Sequence, residues 1–170
     1  KFRLYSIIKT DKYIGVVMMI TRFMSFILSI VALFSGFTLK SESGIVKYRN
    51  MPYGLNSSRQ IFDLDIPENL TGDANMVMYI HGGTWCAGSK DGSLNAMDNL
   101  AKRGIISASI NYRFCGFPDY VTVYDILDDI TDALKRIKSV AAERGINIKG
   151  VMFNGVSAGA HLSLLYAYSR

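Results

Sequence analysis

The chain has 170 residues, which is room for one domain with a core of ordinary size. Apolar residues make up 49% and charged residues 19%, and these proportions exclude an intrinsically disordered chain and a coiled coil. The net charge is +5, but residues 1–22 hold five basic side chains against one acidic one, and the rest of the chain holds 14 against 13. The main part of the chain therefore has no basic patch, and we expect no nucleic-acid partner.

Residues 1–40 have the pattern of a leader. Arg22 precedes an uncharged apolar run at 23–34, and small and polar residues follow it, as in a secretory signal peptide. Extending the run to Leu39 gives enough length for a membrane anchor, and a buried core helix is the third alternative. We divide the chain into this leader and a domain at 41–170. We expect an exported protein, periplasmic or extracellular, that contacts a membrane only through an uncleaved leader.

The remaining elements alternate along the chain. The polar stretch 41–58 predicts a linker and a turn, and 59–67 predicts an edge strand that Pro67 ends. Apolar runs at 75–80, 105–112 and 148–154 predict buried strands, and helical spacing at 93–104, 119–144 and 158–169 predicts helices. This alternation predicts an α/β fold with a mostly parallel sheet and helices on both faces.

Ser157 stands at the junction of a predicted strand and a predicted helix. Gly155 and Gly159 lie two positions before and after it. A serine at the apex of so sharp a turn needs glycine at both places, because larger side chains would collide with the strand or the helix. Its hydroxyl would then stand near free N–H groups at the helix N-terminus, which favour negative charge. The alternative is a glycine-rich connection with an incidental serine.

A second feature, His81-Gly82-Gly83, directly follows the predicted strand at 75–80. Paired glycines let backbone N–H groups approach a ligand closely. With the amide after the serine, they would stabilise the oxyanion of acyl transfer, where losing one donor costs roughly 10²–10³ in rate. Taken alone, His-Gly-Gly is equally compatible with a plain tight turn. The combination with the serine turn favours catalysis.

With these two features, the chain resembles the α/β-hydrolases, in particular the esterase and lipase branch with an HGG-type oxyanion loop. That branch includes hormone-sensitive-lipase-like and feruloyl-esterase-like carboxylesterases. Further similar pieces are Tyr53-Gly54 before the strand at 59–67, "NYRF" at 111–114 with Pro118 and Asp125 after it, and "GVSAGAHLSLL" at 155–165. The resemblance covers roughly residues 45–170 and is more specific for the fold than for the substrate.

The resemblance also implies roles for individual residues. It implies Ser157 as the nucleophile, the N–H groups of Gly83, Thr84 and Ala158 as oxyanion donors, and His81, Gly82, Gly155 and Gly159 as support for the turn and the loop. Many relatives have a third glycine at the position of Thr84. A β-branched residue there narrows the space through which a substrate approaches the backbone amide. The implied substrate is a small-molecule or polymer-attached ester. The sequence shows no cofactor motif, and we expect neither a cofactor nor a metal.

A serine nucleophile needs an adjacent base that a third group orients. His81, beside the loop, and His161, one turn after the serine, are both better explained as structural. Asp125, Asp128 and Asp129 are expected on a solvent-facing side of their helix. In the α/β-hydrolase order the acid and then the histidine follow the serine, and 13 residues follow it here. We therefore expect a chain truncated after the helix at 158–169, without the triad acid and histidine, that gives no ester turnover as it stands.

The predicted function is a serine hydrolase that cleaves carboxylic esters through an acyl-enzyme on Ser157. A peptidase or an arylformamidase of the same fold is an alternative, and so is a non-catalytic binding module. The retained serine and glycines argue against the module, since a protein without chemistry need not keep them. A cell-fractionation experiment would test the predicted export.

Cys86 and Cys115 are the two cysteines of the sequence. In an exported protein they could form a disulfide, but two cysteines make neither a disulfide framework nor a metal site. Two free buried thiols are an equally good interpretation.

Overall fold

The computed structural model describes residues 44–116 and 120–170. The leader predicted at 1–40 and the loop residue Pro118 lie outside the described residues. Five strands are present: β1 Ile45–Pro52, β2 Ile61–Pro67, β3 Gly72–Ile80, β4 Ile106–Ile110 and β5 Ile146–Gly155. The helices are α1 Leu94–Lys102, α2 Val123–Ala142 and α3 Ala158–Ser169, and a short 3₁₀ helix, Lys90–Ser93, precedes α1.

The strands form one sheet in the order β1-β2-β4-β3-β5. β3 pairs in parallel with both β4 and β5, whereas β2 is antiparallel to both of its neighbours. Four of the five described strands therefore share one direction. The α/β prediction is confirmed, and the sheet is mixed because β2 runs against the others.

Two expectations about the first strands were wrong. Residues 45–52, predicted to be part of a linker and turn, form β1. The pairing of β1 with β2 shifts register between Tyr48 and Met51, and Asn50 there has φ 53°, so this strand lacks the alternation that sequence patterns detect. β2 is not an edge strand, since it lies between β1 and β4 and is buried on both faces.

Helices cover both faces of the sheet. Ser107 of β4 donates from its Oγ to the carbonyl of Met97 in α1 at 3.1 Å, so α1 lies on the face of the β4 serines. The opposite face carries Phe62, Leu64 and Ile66, all fully buried. Gln60 stands two residues before Phe62, so it is expected on the same face of the sheet. Its side chain donates a hydrogen bond to Asp129 of α2, which places α2 on that face. A 3.2 Å bond between Thr131 and Tyr166 joins α2 to α3 there.

The start of α2 is set by a capping box. Thr122 accepts from the amide of Asp125 at 3.2 Å, and the Asp125 carboxylate accepts from the amide of Thr122 at 2.7 Å. These two bonds satisfy amides that the first turn of a helix leaves free. Hydrogen bonds to Thr122 hold the pKa of Asp125 below its ordinary value. The helix thus begins a few residues later than the apolar spacing predicts.

Among residues 44–116 and 120–170, no helix combines the length and the apolar character that a membrane crossing requires. In the same residues, no group of three His, Cys, Asp or Glu side chains is arranged to hold a metal ion.

Candidate functional site

Ser157 occupies a strained turn between β5 and α3. Its backbone has φ 54° and ψ −122°, a conformation that non-glycine residues seldom adopt. The residue is solvent-exposed, whereas Ala158 after it is buried. The carbonyl of Ser157 accepts from the amide of His161 at 3.1 Å, which starts the hydrogen bonding of α3.

The glycines two positions on either side of Ser157 are required by close backbone packing. A β-carbon on Gly159 would overlap the carbonyl oxygen of Ile80 and lie 2.8 Å from that of His81. A β-carbon on Gly155 would lie 2.8 Å from the amide nitrogen of Ala160. A larger residue at either position would thus collide with the backbone, and the collision would involve the end of β3 as well as α3.

The loop after β3 lies directly against this turn. A β-carbon on Gly82 would lie 2.7 Å from the carbonyl oxygen of Val156 and 3.4 Å from Cβ of Ser157. Gly83 has φ 119°, and a β-carbon there would overlap the carbonyl of Ala87. The loop and the serine turn therefore form one corner at the carboxyl ends of β3 and β5, where they lie against each other.

Three amides at this corner lack a hydrogen-bond acceptor in the part of the chain that the structure describes. Within the described residues, no hydrogen bond leads from the amides of Gly83, Thr84 or Ala158 to another group of the protein. Thr84 and Trp85 have φ 49° and 61°, and Gly83 accepts from the amides of Cys86 and Ala87 at 3.0 and 2.8 Å. The carbonyl of Gly83 thus accepts the hydrogen bonds that close the turn, while the amide of Gly83 donates to no group within the described residues.

His81 contacts both the loop after β3 and the segment after β4. Its Nδ1 lies 2.7 Å from the carbonyl oxygen of Gly82, which can only accept, so Nδ1 carries the proton. The ring stacks on Tyr112 with centroids 4.2 Å apart, and the Tyr112 hydroxyl donates to the carbonyl of His81 at 2.9 Å. Burial lowers the pKa of His81, and the charge of Arg59 lowers it further against an opposing effect of the Gly82 hydrogen bond.

Arg59 is a supporting residue that sequence reasoning missed. Its NH2 group lies 3.3 Å from Nε2 of His81 and donates to the carbonyl of Gly88 at 3.2 Å, so it touches both ends of the loop. Its Nε donates to the carbonyl of Tyr112 at 2.8 Å, and the guanidinium lies 3.5 Å from the centre of the Phe114 ring. Its position just before β2 gave no sign of these contacts.

Lys90 fixes the far end of the loop. Its Nζ donates to Asp63 of β2 at 2.8 Å, and the two side chains are only 3% and 1% exposed. Its amide donates to the Asn111 side chain at 2.7 Å, and its carbonyl accepts from Ser109 at 3.0 Å. A lysine so deeply buried is rare without a partner, but nothing in the local sequence pairs position 90 with position 63.

The second histidine is also placed structurally. His161 is exposed, and its ring meets the Trp85 ring edge-on with centroids 5.5 Å apart. This contact joins α3 to the loop after β3.

The expectation for the acidic residues of α2 was wrong at one position. Asp128 is exposed, but Asp129 is 1% exposed and accepts from Gln60 at 2.9 Å and from the backbone and side chain of Arg113. A run of carboxylates does not reveal which one meets an arginine from another element. Asp129 thus anchors the "NYRF" segment to α2.

Comparison with known proteins supports this architecture. A sequence profile described as BD-FAE matches residues 62–170, and the chain belongs to the BD-FAE family. Esterase B from Lactobacillus rhamnosis has a similar fold, with a TM-score of 0.62 and 24% identity over 89% of this chain and 48% of that one. The chain thus has the fold of the α/β-hydrolase esterases, as the resemblance implied.

Curated relatives carry names of ester hydrolases. The isoprenylcysteine alpha-carbonyl methylesterase of Arabidopsis thaliana is 34% identical over 116 residues, which is 68% of this chain and 26% of that protein. A Mycobacterium tuberculosis protein named "Probable carboxylic ester hydrolase LipM" is 37% identical over 109 residues, 62% of this chain and 23% of that protein. The chain therefore spans about a quarter of the length of these relatives.

Proposed function

We propose that this protein is a serine hydrolase that cleaves carboxylic esters through an acyl-enzyme on Ser157. The observation that carries the proposal is the backbone of Ser157, exposed at φ 54° and ψ −122° between β5 and α3. So strained a conformation persists only where the surrounding structure enforces it. Close packing at Gly155, Gly159 and Gly82 surrounds it here, and the Ser157 side chain makes no capping hydrogen bond to the helix.

The proposed oxyanion donors are the N–H groups of Gly83, Thr84 and Ala158. Their support is that none of these amides bonds another group of the described protein, while the loop and the turn lie in van der Waals contact. Preorganised donors of this kind stabilise the charge that develops on a carbonyl oxygen under attack. His81, Arg59 and the loop's own turn keep them in place.

The reaction follows from these roles. The Oγ of Ser157 attacks the ester carbonyl, the alcohol departs with a proton, and water then releases the acid from the acyl-serine. A base must take the serine proton. His81 has both ring nitrogens occupied by Gly82 and Arg59, and His161 rests on Trp85. We therefore assign the role of the base to neither of these two histidines.

Ester turnover by the full-length protein tests this proposal. Wild-type protein should hydrolyse p-nitrophenyl acetate, and Ser157→Ala should lose about 10³-fold or more in kcat, since removing a nucleophile leaves only binding and the oxyanion donors. Ser169→Ala is the matched control, because Ser169 is an exposed serine on the same helix. Equal turnover by Ser157→Ala and wild type would overturn the proposal.

The substrate class separates the alternatives. An esterase should prefer esters to the matching anilides and N-formyl aromatic amines, whereas a peptidase or an arylformamidase would reverse this order. A binding module would turn over none of them while still binding an ester with micromolar affinity.

Export is proposed from the leader pattern at 1–40 alone, and recovery of the full-length protein in the cytosolic fraction would contradict it.

A further inference from the structure

We propose that Cys86 and Cys115 are a disulfide-forming pair that links the loop after β3 to the segment after β4. Both are free thiols in this structure, Cys86 exposed and Cys115 half-buried. The ester chemistry proposed above uses neither of them. The inference concerns a modification site that is independent of Ser157.

The backbone brings the two cysteines together. The amide of Cys115 donates to the carbonyl of Trp85, the residue before Cys86, at 2.9 Å. That bond places the peptide group between Trp85 and Cys86 against the backbone of Cys115. A disulfide needs its two α-carbons about 4.4–6.8 Å apart.

The side chains support the same pairing. Burial raises the pKa of the Cys115 thiol, and the charge of a Cys86 thiolate raises it further. The Sγ of Cys86 also lies 3.3 Å from the Oγ1 of Thr84. Disulfide formation would therefore act beside a proposed oxyanion donor and tie its turn to the "NYRF" segment.

The exposure of the two thiols sets the order of the reaction with a small disulfide such as oxidised glutathione. The thiolate of exposed Cys86 attacks one glutathione sulfur, that disulfide bond breaks, and the released thiolate takes up the proton lost by Cys86. The thiolate of Cys115 then attacks Sγ of Cys86 and displaces the second glutathione, which takes up the proton of Cys115. Two electrons pass from the protein to the glutathione disulfide, and the protein loses two hydrogens.

Equilibration with mixtures of oxidised and reduced glutathione tests the pairing without any assay of ester turnover. Peptide mass spectrometry without reduction should find residues 86 and 115 crosslinked. The equilibrium constant for the native protein should exceed that in concentrated urea roughly tenfold or more, because the fold supplies the proximity. A failure of the proposed esterase activity would leave this result unchanged.

Single variants serve as matched controls. Cys115→Ser should accumulate a mixed disulfide on Cys86, and Cys86→Ser should react more slowly, because Cys115 is half-buried with a raised pKa. The pairing would be overturned by equal equilibrium constants for disulfide formation in native buffer and in urea. A doubly glutathionylated product or a crosslink between two molecules would overturn it as well. Equal rates for the two variants would overturn the order of attack.

Discussion

Ser157 is held in its strained conformation by its neighbours. The residue gains no capping hydrogen bond from its own side chain, and the absence of β-carbons at Gly155, Gly159 and Gly82 lets the strand, the helix and the loop pack closely around it. Strain of this size costs about 1–3 kcal/mol and survives only where surrounding contacts are numerous. The glycines are therefore as much a part of the site as the serine.

Replacing Gly159 with alanine tests this packing. The added β-carbon would meet the carbonyl oxygens of Ile80 and His81 at the end of β3, so we expect Gly159→Ala to lower the free energy of unfolding by about 1–3 kcal/mol. Gly92→Ala is the control, because no atom lies within 4 Å of a β-carbon there. Denaturant unfolding should separate the two variants, and equal stability would contradict the packing.

The environment of His81 predicts a pH dependence of stability. Burial lowers its pKa in the folded state, with Arg59 contributing, while the unfolded residue titrates near 6.5. The unfolded chain therefore takes up the proton more readily. The stabilising contribution is complete above about pH 6.5 and is lost as the pH falls through that value towards the folded pKa.

Urea unfolding between about pH 5 and pH 7.5 measures this contribution. As the pH is lowered, the free energy of unfolding should decrease in wild-type protein, and it should decrease less steeply in His81→Gln. An unchanged slope in His81→Gln would show that His81 titrates alike in both states.

At the scale of elements, the loop between β3 and α1 is held at both ends. His81 and Gly88 are tied to Arg59, and Lys90 is tied to Asp63 of β2 and to Asn111. The loop therefore derives its shape from contacts with β2 and with the end of β4 as well as from its glycines.

Lys90→Met is the direct test of that anchor. It leaves the Asp63 carboxylate buried without its cation, and we expect a loss of about 3–5 kcal/mol in the free energy of unfolding. The double variant Lys90→Met/Asp63→Leu should regain most of this loss, because it removes both charges. Lys47→Met is the control, since its ion pair with Asp98 is 44% and 25% exposed and should contribute at most about 1 kcal/mol. A double variant no more stable than the single one would argue against the ion pair as the cause.

The sequence predicted the elements that follow a simple periodicity. β3, β4, β5 and the helices were found because continuous apolar runs and helical spacing are local signals. β1 was missed because a bulge breaks its pattern. The serine turn and the His81 loop were predictable because glycine is required at fixed offsets. Arg59, Lys90 and Asp129 were not, since their roles depend on partners far away in the sequence.

At the scale of the described fold, an apolar surface lies beside β5. Among the described strands β5 pairs only with β3. Met152, Val156, Leu164 and Tyr168 on β5, the serine turn and α3 are 59–89% exposed. An open strand edge flanked by large apolar side chains favours association between molecules.

Residues 1–170 expressed alone should therefore self-associate. Light scattering after gel filtration should detect oligomers whose fraction rises with concentration, and Met152→Lys should reduce that fraction by placing a charge beside the open edge. Leu55→Lys is the matched control, because Leu55 is 98% exposed but lies before β2. A monomer at every concentration, or an equal effect of both variants, would contradict this expectation.

The central claim is that Ser157 is the residue that attacks a carbonyl, and covalent labelling with a fluorophosphonate ester measures this most directly. The full-length protein should take up one label, peptide mass spectrometry should find it on Ser157, and Ser157→Ala should abolish it while Ser169→Ala labels normally. A label on another residue, or none on a folded full-length protein, would contradict the account.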